Sequence, residues 1–180
     1  MEYPILETTR LLLRPLTGEQ WKQILLEWPA AEAQEFLGVD PATYEKDRRK
    51  AMGGFETFSK KLLLFHLIDR SSDEVIGWCG YHTWYIEHGR AELGYVMSSE
   101  AHRERGLMAE ALGAVLAFGF TQLKLHRVEA MTATYNTASN RLLEKYRFTF
   151  EGLLREHYLV GTKHEHSQVF SLLWDEWKSR

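Results

Sequence analysis

From Arg105 to Thr121 the chain has the spacing of a helix that is apolar nearly all the way round once Glu110 is passed. A helix lying on a protein surface keeps one polar face, so a helix without one must be buried against a sheet and covered on its other side. That segment therefore demands a sheet, and its neighbours supply the strands. "RLLLRPL" (Arg10 to Leu16) reads as a first strand, ended by Pro15 and the Thr17-Gly18 turn. "LLLFHLID" (Leu62 to Asp69) is an apolar run suited to a strand buried on both faces, and Ser71-Ser72-Asp73 turns it into a returning strand over Glu74 to Trp84. In "RAELGYVMS" (Arg90 to Ser98), Ala91, Leu93, Tyr95 and Met97 share one face while Glu92, Gly94 and Val96 take the other.

"HRVEAMT" (His126 to Thr132) is a further strand, Thr137 to Tyr146 a short amphipathic helix, and Phe148 to Tyr158 and His164 to Leu173 a strand pair across Gly161. Helical spacing also marks Glu19 to Trp28 and Pro41 to Ser59, with Asp40-Pro41 as a start signal. The order is strand, two helices, three antiparallel strands, helix, strand, helix, strand pair. It predicts an α+β (mixed α/β) domain around one twisted sheet, and no repeat or linker divides residues 1–180.

No apolar run approaches the roughly 18 residues needed to span a bilayer, so no membrane partner is expected. The start lacks a basic stretch followed by an apolar one, and a lone Cys79 excludes an internal disulfide or a multi-cysteine zinc site; a cytoplasmic protein is expected. The net charge of −3 leaves no global basic field, so nucleic acid is not an expected partner and any anion site must be local.

"HRERGLMAEAL" (His102 to Leu112) has the makings of such a site. The first turn of a helix leaves N–H groups unpaired, and its dipole adds positive charge there. Gly106 would let a ligand approach the main chain, and His102, Arg103 and Arg105 would supply charge. Neither a P-loop nor a dinucleotide fingerprint is present. On these residues alone, a solvated cap and an anion cradle both fit.

With "NTASNRLLEKYRF" (Asn136 to Phe148), "RVEAMT" before it and "AELGYVM" upstream, the chain closely resembles the GNAT N-acetyltransferase superfamily. Within it, the chain is most similar to the ribosomal-protein N-acetyltransferase (RimJ/RimL-like) branch. The likeness runs from "TTRLLLRPL" to "HEHSQVFSLLWDEW". It implies a mostly antiparallel central sheet, splayed at the cofactor site and flanked by helices. It also implies transfer of an acetyl group from acetyl-CoA to a primary amine, on a protein N-terminus or a small molecule, by direct attack in a ternary complex. The family's pyrophosphate loop, Q/R-x-x-G-x-G/A, falls on Arg103, Glu104, Arg105, Gly106, Leu107 and Met108, with Ala109 next; Met108 stands where the family has a small residue. Tyr95, Val96 and Met97 would pair with the pantetheine arm, Asn136 would contact it, and Ser139 would lie near the sulfur. The tyrosine that often reprotonates the leaving thiolate is replaced by Leu143, and the usual Gly-Phe pair reads Arg147-Phe148. Ser139 becomes the acid candidate, with Tyr146 a weaker substitute.

Amide formation from a thioester needs a neutral amine, a stabilised oxyanion and a proton for the thiolate. If its face lines the cleft, Glu92 would take the amine proton through water, unless it only pairs with Arg90 or another cation. An N–H near Val96 or Met97 would serve the oxyanion. Ser139 would serve the sulfur unless it only caps its helix. Cys79 reads as packing and not as a nucleophile, and His164 and His166 lack the further ligands of a metal site, so no metal is expected. His157, Tyr158, Trp28, Trp84 and Tyr85 are acceptor-side candidates. Family members often dimerise, which leaves a homodimer open. Leu143 keeps a second function open, a non-catalytic acyl-CoA-binding sensor or interaction module.

Overall fold

A computed structural model describes residues 3–53 and 60–179. In chain order the elements are β1 (Leu6–Glu7), β2 (Leu11–Thr17), α1 (Gly18–Glu27), α2 (Ala30–Leu37) and α3 (Pro41–Gly53). They continue with β3 (Lys61–Asp69), β4 (Val75–Tyr85), β5 (Arg90–Met97), α4 (Leu107–Thr121) and β6 (Arg127–Ala133). The chain then forms α5 (Thr137–Lys145), β7 (Thr149–Val160), β8 (Lys163–Leu173) and α6 (Trp174–Lys178). The strands make one eight-stranded sheet in the order β1-β2-β3-β4-β5-β6-β8-β7. Every pairing is antiparallel except β5 with β6.

That one parallel pairing is short and controls the rest. β5 and β6 run together from Arg90↔Arg127 to Leu93↔Ala130 and then part. Beyond Leu93, β5 stays with β4 as far as Gly77↔Met97. The sheet is therefore split between Gly94–Met97 on one side and the end of β6 on the other.

The apolar helix α4 lies against the sheet as its composition requires. Leu107, Ala111, Leu112, Val115 and Leu116 are all but fully buried, in one cluster with Leu13, Phe65, Leu93 and Val128. The Tyr81 hydroxyl, buried in this cluster, donates to the Val115 carbonyl at 2.8 Å, so its burial leaves no polar atom stranded. Cys79 is also fully buried there. The opposite face of the sheet is covered by α1–α3 through Leu16, Ile24, Leu25, Ala33, Leu37, Tyr44 and Ala51. β3 sits between the two layers, and its residues Leu62 to Leu67 are buried on both faces.

The boundaries differ from the sequence reading where local geometry intervenes. α4 begins at Leu107 and not Arg105, because Gly106 sits at φ 74, a left-handed conformation that cannot propagate a right-handed helix. Three helices precede β3 where two were expected; α2 has only 8 residues and is stopped by Gly38 at φ 64, too short for a periodic signal. β1, with 2 residues, and α6, with 5, escape notice for the same reason. α3 is described as far as Gly53; the remainder of that expected helix, 54–59, lies outside the described residues. After α5, Arg147 takes φ 51, so a non-glycine residue does make the turn into β7.

Candidate active site

The loop before α4 is shaped by two left-handed residues, Glu104 at φ 58 and Gly106 at φ 74. Gly106 caps the helix without any side-chain hydrogen bond, and the first intrahelical bond is Glu110 N–H to the Gly106 carbonyl at 3.1 Å. The amides of Leu107, Met108 and Ala109 therefore open the helix with no acceptor inside it. Arg10 locks this turn from outside. Its backbone N–H and Nε each donate to Glu110 at 2.7 Å, and Nη1 donates to the Arg105 carbonyl at 2.9 Å. The amides face a cleft of about 650 Å³ lined by Tyr95, Val96, Met97, Arg103, Gly106, Leu107, Met108, Ala109, Asn136 and Ser139. His102 also lines it, and the buried His102 Nδ1 has no hydrogen-bond partner among the described residues. Met108 packs partly on the core beneath, so its bulk does not disturb the start of the helix. Arg105 alone among the expected cofactor residues does not line the cleft; its charge acts on Asp69 instead. Arg103 lines the cleft while paired with Glu100 at 3.0 Å.

On the other wall, Asn140 ties α5 to β6 and β8: it accepts from the Thr132 hydroxyl at 2.6 Å and donates to Gln168 at 2.9 Å. Asn136 is the cap of α5, its Oδ1 accepting from the Ser139 N–H at 3.1 Å. The cap thus uses the Ser139 backbone and leaves the Ser139 hydroxyl out of it. Close by, the Tyr95 hydroxyl is buried with no hydrogen-bond partner among the described residues. Burial pushes its pKa up to about 12, with the nearby Ser139 hydroxyl pulling the other way. Tyr95 therefore stays protonated across the physiological range, a donor held beside Ser139. Tyr146 is committed elsewhere, since its hydroxyl donates to the Ala109 carbonyl and fastens α5 to α4. Leu143 is fully buried.

The split in the sheet opens a second cavity of about 300 Å³, lined by Glu92, His82, Trp78 and Tyr158 and, at its inner end, by Tyr95, Asn136 and Ser139. The two cavities meet at those last three residues. Glu92 does not pair with Arg90. Arg90 goes to Glu129, which Arg127 also holds at 3.1 Å, and Arg127 in turn grips Glu151 at 2.6 Å. The Glu92 carboxylate is left facing the cavity, 3.6 Å from His82 Nε2, with its side chain 16 % exposed. Gly94 makes room for this arrangement: a Cβ there would lie 2.5 Å from the His82 ring and 3.1 Å from Trp78. Tyr158 has its pKa raised by burial and by the charge of Glu92. The Ser98 N–H is spent on the Ile76 carbonyl at 2.9 Å. Since backbone groups alternate sides along a strand, the Met97 N–H, and not that of Val96, points into the split.

Of the other acceptor-side expectations, only Tyr158 lines this cavity. Trp84 is core, Tyr85 lies under the Arg90 guanidinium at 4.2 Å, Trp28 packs on Phe36, and His157 contacts Ser167 at 3.1 Å. His166 Nδ1 accepts from the Glu156 N–H at 2.8 Å. Among the described residues, no group of three or more His, Cys, Asp or Glu could hold a metal ion, and no helix is long and apolar enough to cross a membrane. Sequence reasoning missed Trp78 and His82. The only signal for them is strand register, which sets Trp78 opposite Val96.

The split sheet thus joins two cavities, one beneath the uncapped start of α4 and one holding the Glu92 carboxylate. Comparison with known proteins gives the family. The Acetyltransferase (GNAT) domain matches residues 10–149, and the chain belongs to this family. It is 33 % identical over 177 residues to the uncharacterized N-acetyltransferase YoaA of Bacillus subtilis (strain 168), covering 95 % of this chain and 97 % of YoaA. It is 22 % identical over 158 residues to the ribosomal-protein-serine acetyltransferase of Escherichia coli (strain K12), covering 88 % of this chain and 82 % of that protein. Among solved structures, a GCN5-related N-acetyltransferase from Brucella melitensis superposes with a TM-score of 0.71 at 24 % identity, over 99 % of this chain and 82 % of that one.

Proposed function

We propose that this acetyltransferase moves the acetyl group of acetyl-CoA directly onto a primary amine in a ternary complex, without an acylated protein intermediate. The observation that carries this reading is the junction: the cleft under α4 and the Glu92 cavity share Tyr95, Asn136 and Ser139. The residues present suit the coenzyme. The free Leu107, Met108 and Ala109 amides, with Arg103 and His102 beside them, suit a pyrophosphate. The unpaired edge of β5 over Tyr95–Met97 suits an amide-bearing arm. Glu92 takes the proton of the entering ammonium, through water or His82. The Met97 N–H supports the developing oxyanion. Ser139, backed by the protonated Tyr95 hydroxyl, returns a proton to the sulfur. Every group in this scheme comes from one chain, so homodimerisation, frequent in the family, is not required for it.

A protein N-terminal α-amine, as in the ribosomal-protein branch, or a small amine is the acceptor in this reading, and the cytoplasm, which holds acetyl-CoA, its setting. Buried Leu143 at the usual tyrosine position favours one competing reading, a sensor that binds acyl-CoA without turnover. Thiol release should be followed with acetyl-CoA and a panel of peptides, polyamines and other amines, alongside calorimetric binding of coenzyme A. Turnover is expected; binding without turnover on any amine would favour the sensor, and loss of both would overturn both.

A further inference from the structure

Glu110 stands where its charge should count against an anionic coenzyme. It is the fourth residue of α4, one turn inside the helix start whose first residues, Leu107, Met108 and Ala109, line the cleft. Side chains on a helix lean toward its N-terminus, so the natural reach of Glu110 is back over that first turn. A carboxylate there is itself a good partner for unpaired amides and for the helix dipole. Left to itself, Glu110 would compete with a pyrophosphate for the same N–H groups.

Arg10, one hundred residues earlier in the chain, prevents this. One carboxylate oxygen of Glu110 accepts from the Arg10 backbone N–H and the other from Nε, each at 2.7 Å, so both are occupied. Such charge-assisted bonds to a fixed fork are strong and directional. Nη1 meanwhile donates to the Arg105 carbonyl at 2.9 Å, and Nη2 lies 3.6 Å from where a Cβ on Gly106 would stand. The Arg10 carbonyl accepts from the Arg70 N–H at 3.0 Å, which fastens the clamp beside the end of β3. Neither Arg10 nor Glu110 lines the cleft. The carboxylate is ionised all the same. Burial works to raise its pKa, but hydrogen bonds from Thr8 and Arg10 and the Arg10 charge outweigh it and hold the group below the ordinary carboxylate value.

We infer that Arg10 is a positioning residue for the coenzyme: it withdraws the Glu110 carboxylate from the start of α4 and so keeps the Leu107, Met108 and Ala109 amides free for the pyrophosphate. The inference rests on the reading that acetyl-CoA is the acyl donor. It differs in one respect from simple support of a loop. If Arg10 and Glu110 only braced the turn, losing both would be at least as harmful as losing one. Because Glu110 becomes a competitor once Arg10 is gone, its removal should repair the damage.

The test titrates coenzyme A by calorimetry into four proteins: the unsubstituted chain, Arg10→Leu, Glu110→Gln and the double variant. Arg10→Leu should weaken binding about tenfold, the worth of one uncompensated charge at a helix start. Glu110→Gln should stay within about threefold of the unsubstituted protein, and adding it to Arg10→Leu should recover most of the loss. Steady-state turnover should show the same pattern in the coenzyme KM, with little change in kcat or in the amine KM. Full affinity in Arg10→Leu, or a double variant as weak as Arg10→Leu, would overturn the inference. If Arg10→Leu does not fold, Arg10→Gln, which keeps a neutral donor, serves in its place, with a smaller loss and the same repair expected. If the unsubstituted protein binds no coenzyme A, the coenzyme reading falls, and inorganic pyrophosphate titrated into the same proteins decides. Weaker pyrophosphate binding in Arg10→Leu, repaired in the double variant, would support the clamp; four equal affinities would overturn it.

Discussion

The two sides of β5 are built by different means. On the α4 side the site is largely main chain: three helix-start amides, a left-handed glycine and an unpaired strand edge. On the α1–α3 side it is almost wholly side chain: Glu92, His82 and Trp78, drawn from two strands and set by cross-strand register. Main chain can hold a fixed ligand with little dependence on side-chain identity. Side chains on a pleated sheet can be exchanged without moving the backbone. One side is therefore suited to a constant coenzyme and the other to a particular acceptor.

Substitutions on the two sides should separate cleanly. Glu92→Gln should lower kcat about a hundredfold or more, the usual worth of a general base, with coenzyme A binding unchanged by calorimetry; an equal loss of coenzyme affinity would blur the division. Gly106→Val should act on the other side. A β-branched residue at φ 74 costs up to about 3 kcal/mol, so coenzyme A affinity should fall by up to about a hundredfold. Whatever turnover remains at saturating coenzyme should show an unchanged KM for the amine. Ser139→Ala should lower kcat about tenfold with both KM values kept, since only the hydroxyl is lost and Asn136 still caps the helix through the backbone; no change would pass the acid role to Tyr95.

The smallest expected effect tests the lattice of charges that keeps Arg90 away from Glu92. The Arg127 guanidinium holds the Glu151 pKa down to about 2, well below the ordinary carboxylate value of 4.5. A depressed carboxylate contributes stability that is fully present above about 4.5 and is lost as pH falls toward about 2. Glu151→Gln should flatten the acid limb of stability in that window, read by urea denaturation from pH 7 to 3, and change little at the neutral end of activity.

The same division explains what the sequence disclosed. The cleft under α4 was legible as a place because the residues that line it lie within short contiguous stretches: a glycine before an apolar helix, an asparagine three residues before a serine. Local patterns also gave β2 to β8, because alternation and turn residues act over a few positions. The Glu92 cavity was harder to read because Trp78, His82, Glu92 and Tyr158 are scattered along the chain and become neighbours only once the sheet order is fixed. Arg105 shows the converse: it lies in the same stretch of sequence but does not line the cleft. Glu92 was visible, but that it stays free of Arg90 depended on Glu129 and Glu151 gathering the arginines on neighbouring strands.

Cys79, the only cysteine, is fully buried with its thiol pKa pushed up by that burial. A disulfide reagent added to the folded protein should therefore count coenzyme sulfur alone, with no background from the chain. The same residue doubles as a reporter of opening. With reagent dilute enough for the core to reclose many times per labelling event, labelling should follow the fraction of molecules in which the sheet and α4 have separated, so slower labelling with coenzyme bound would measure, in free-energy units, how much the ligand steadies the core.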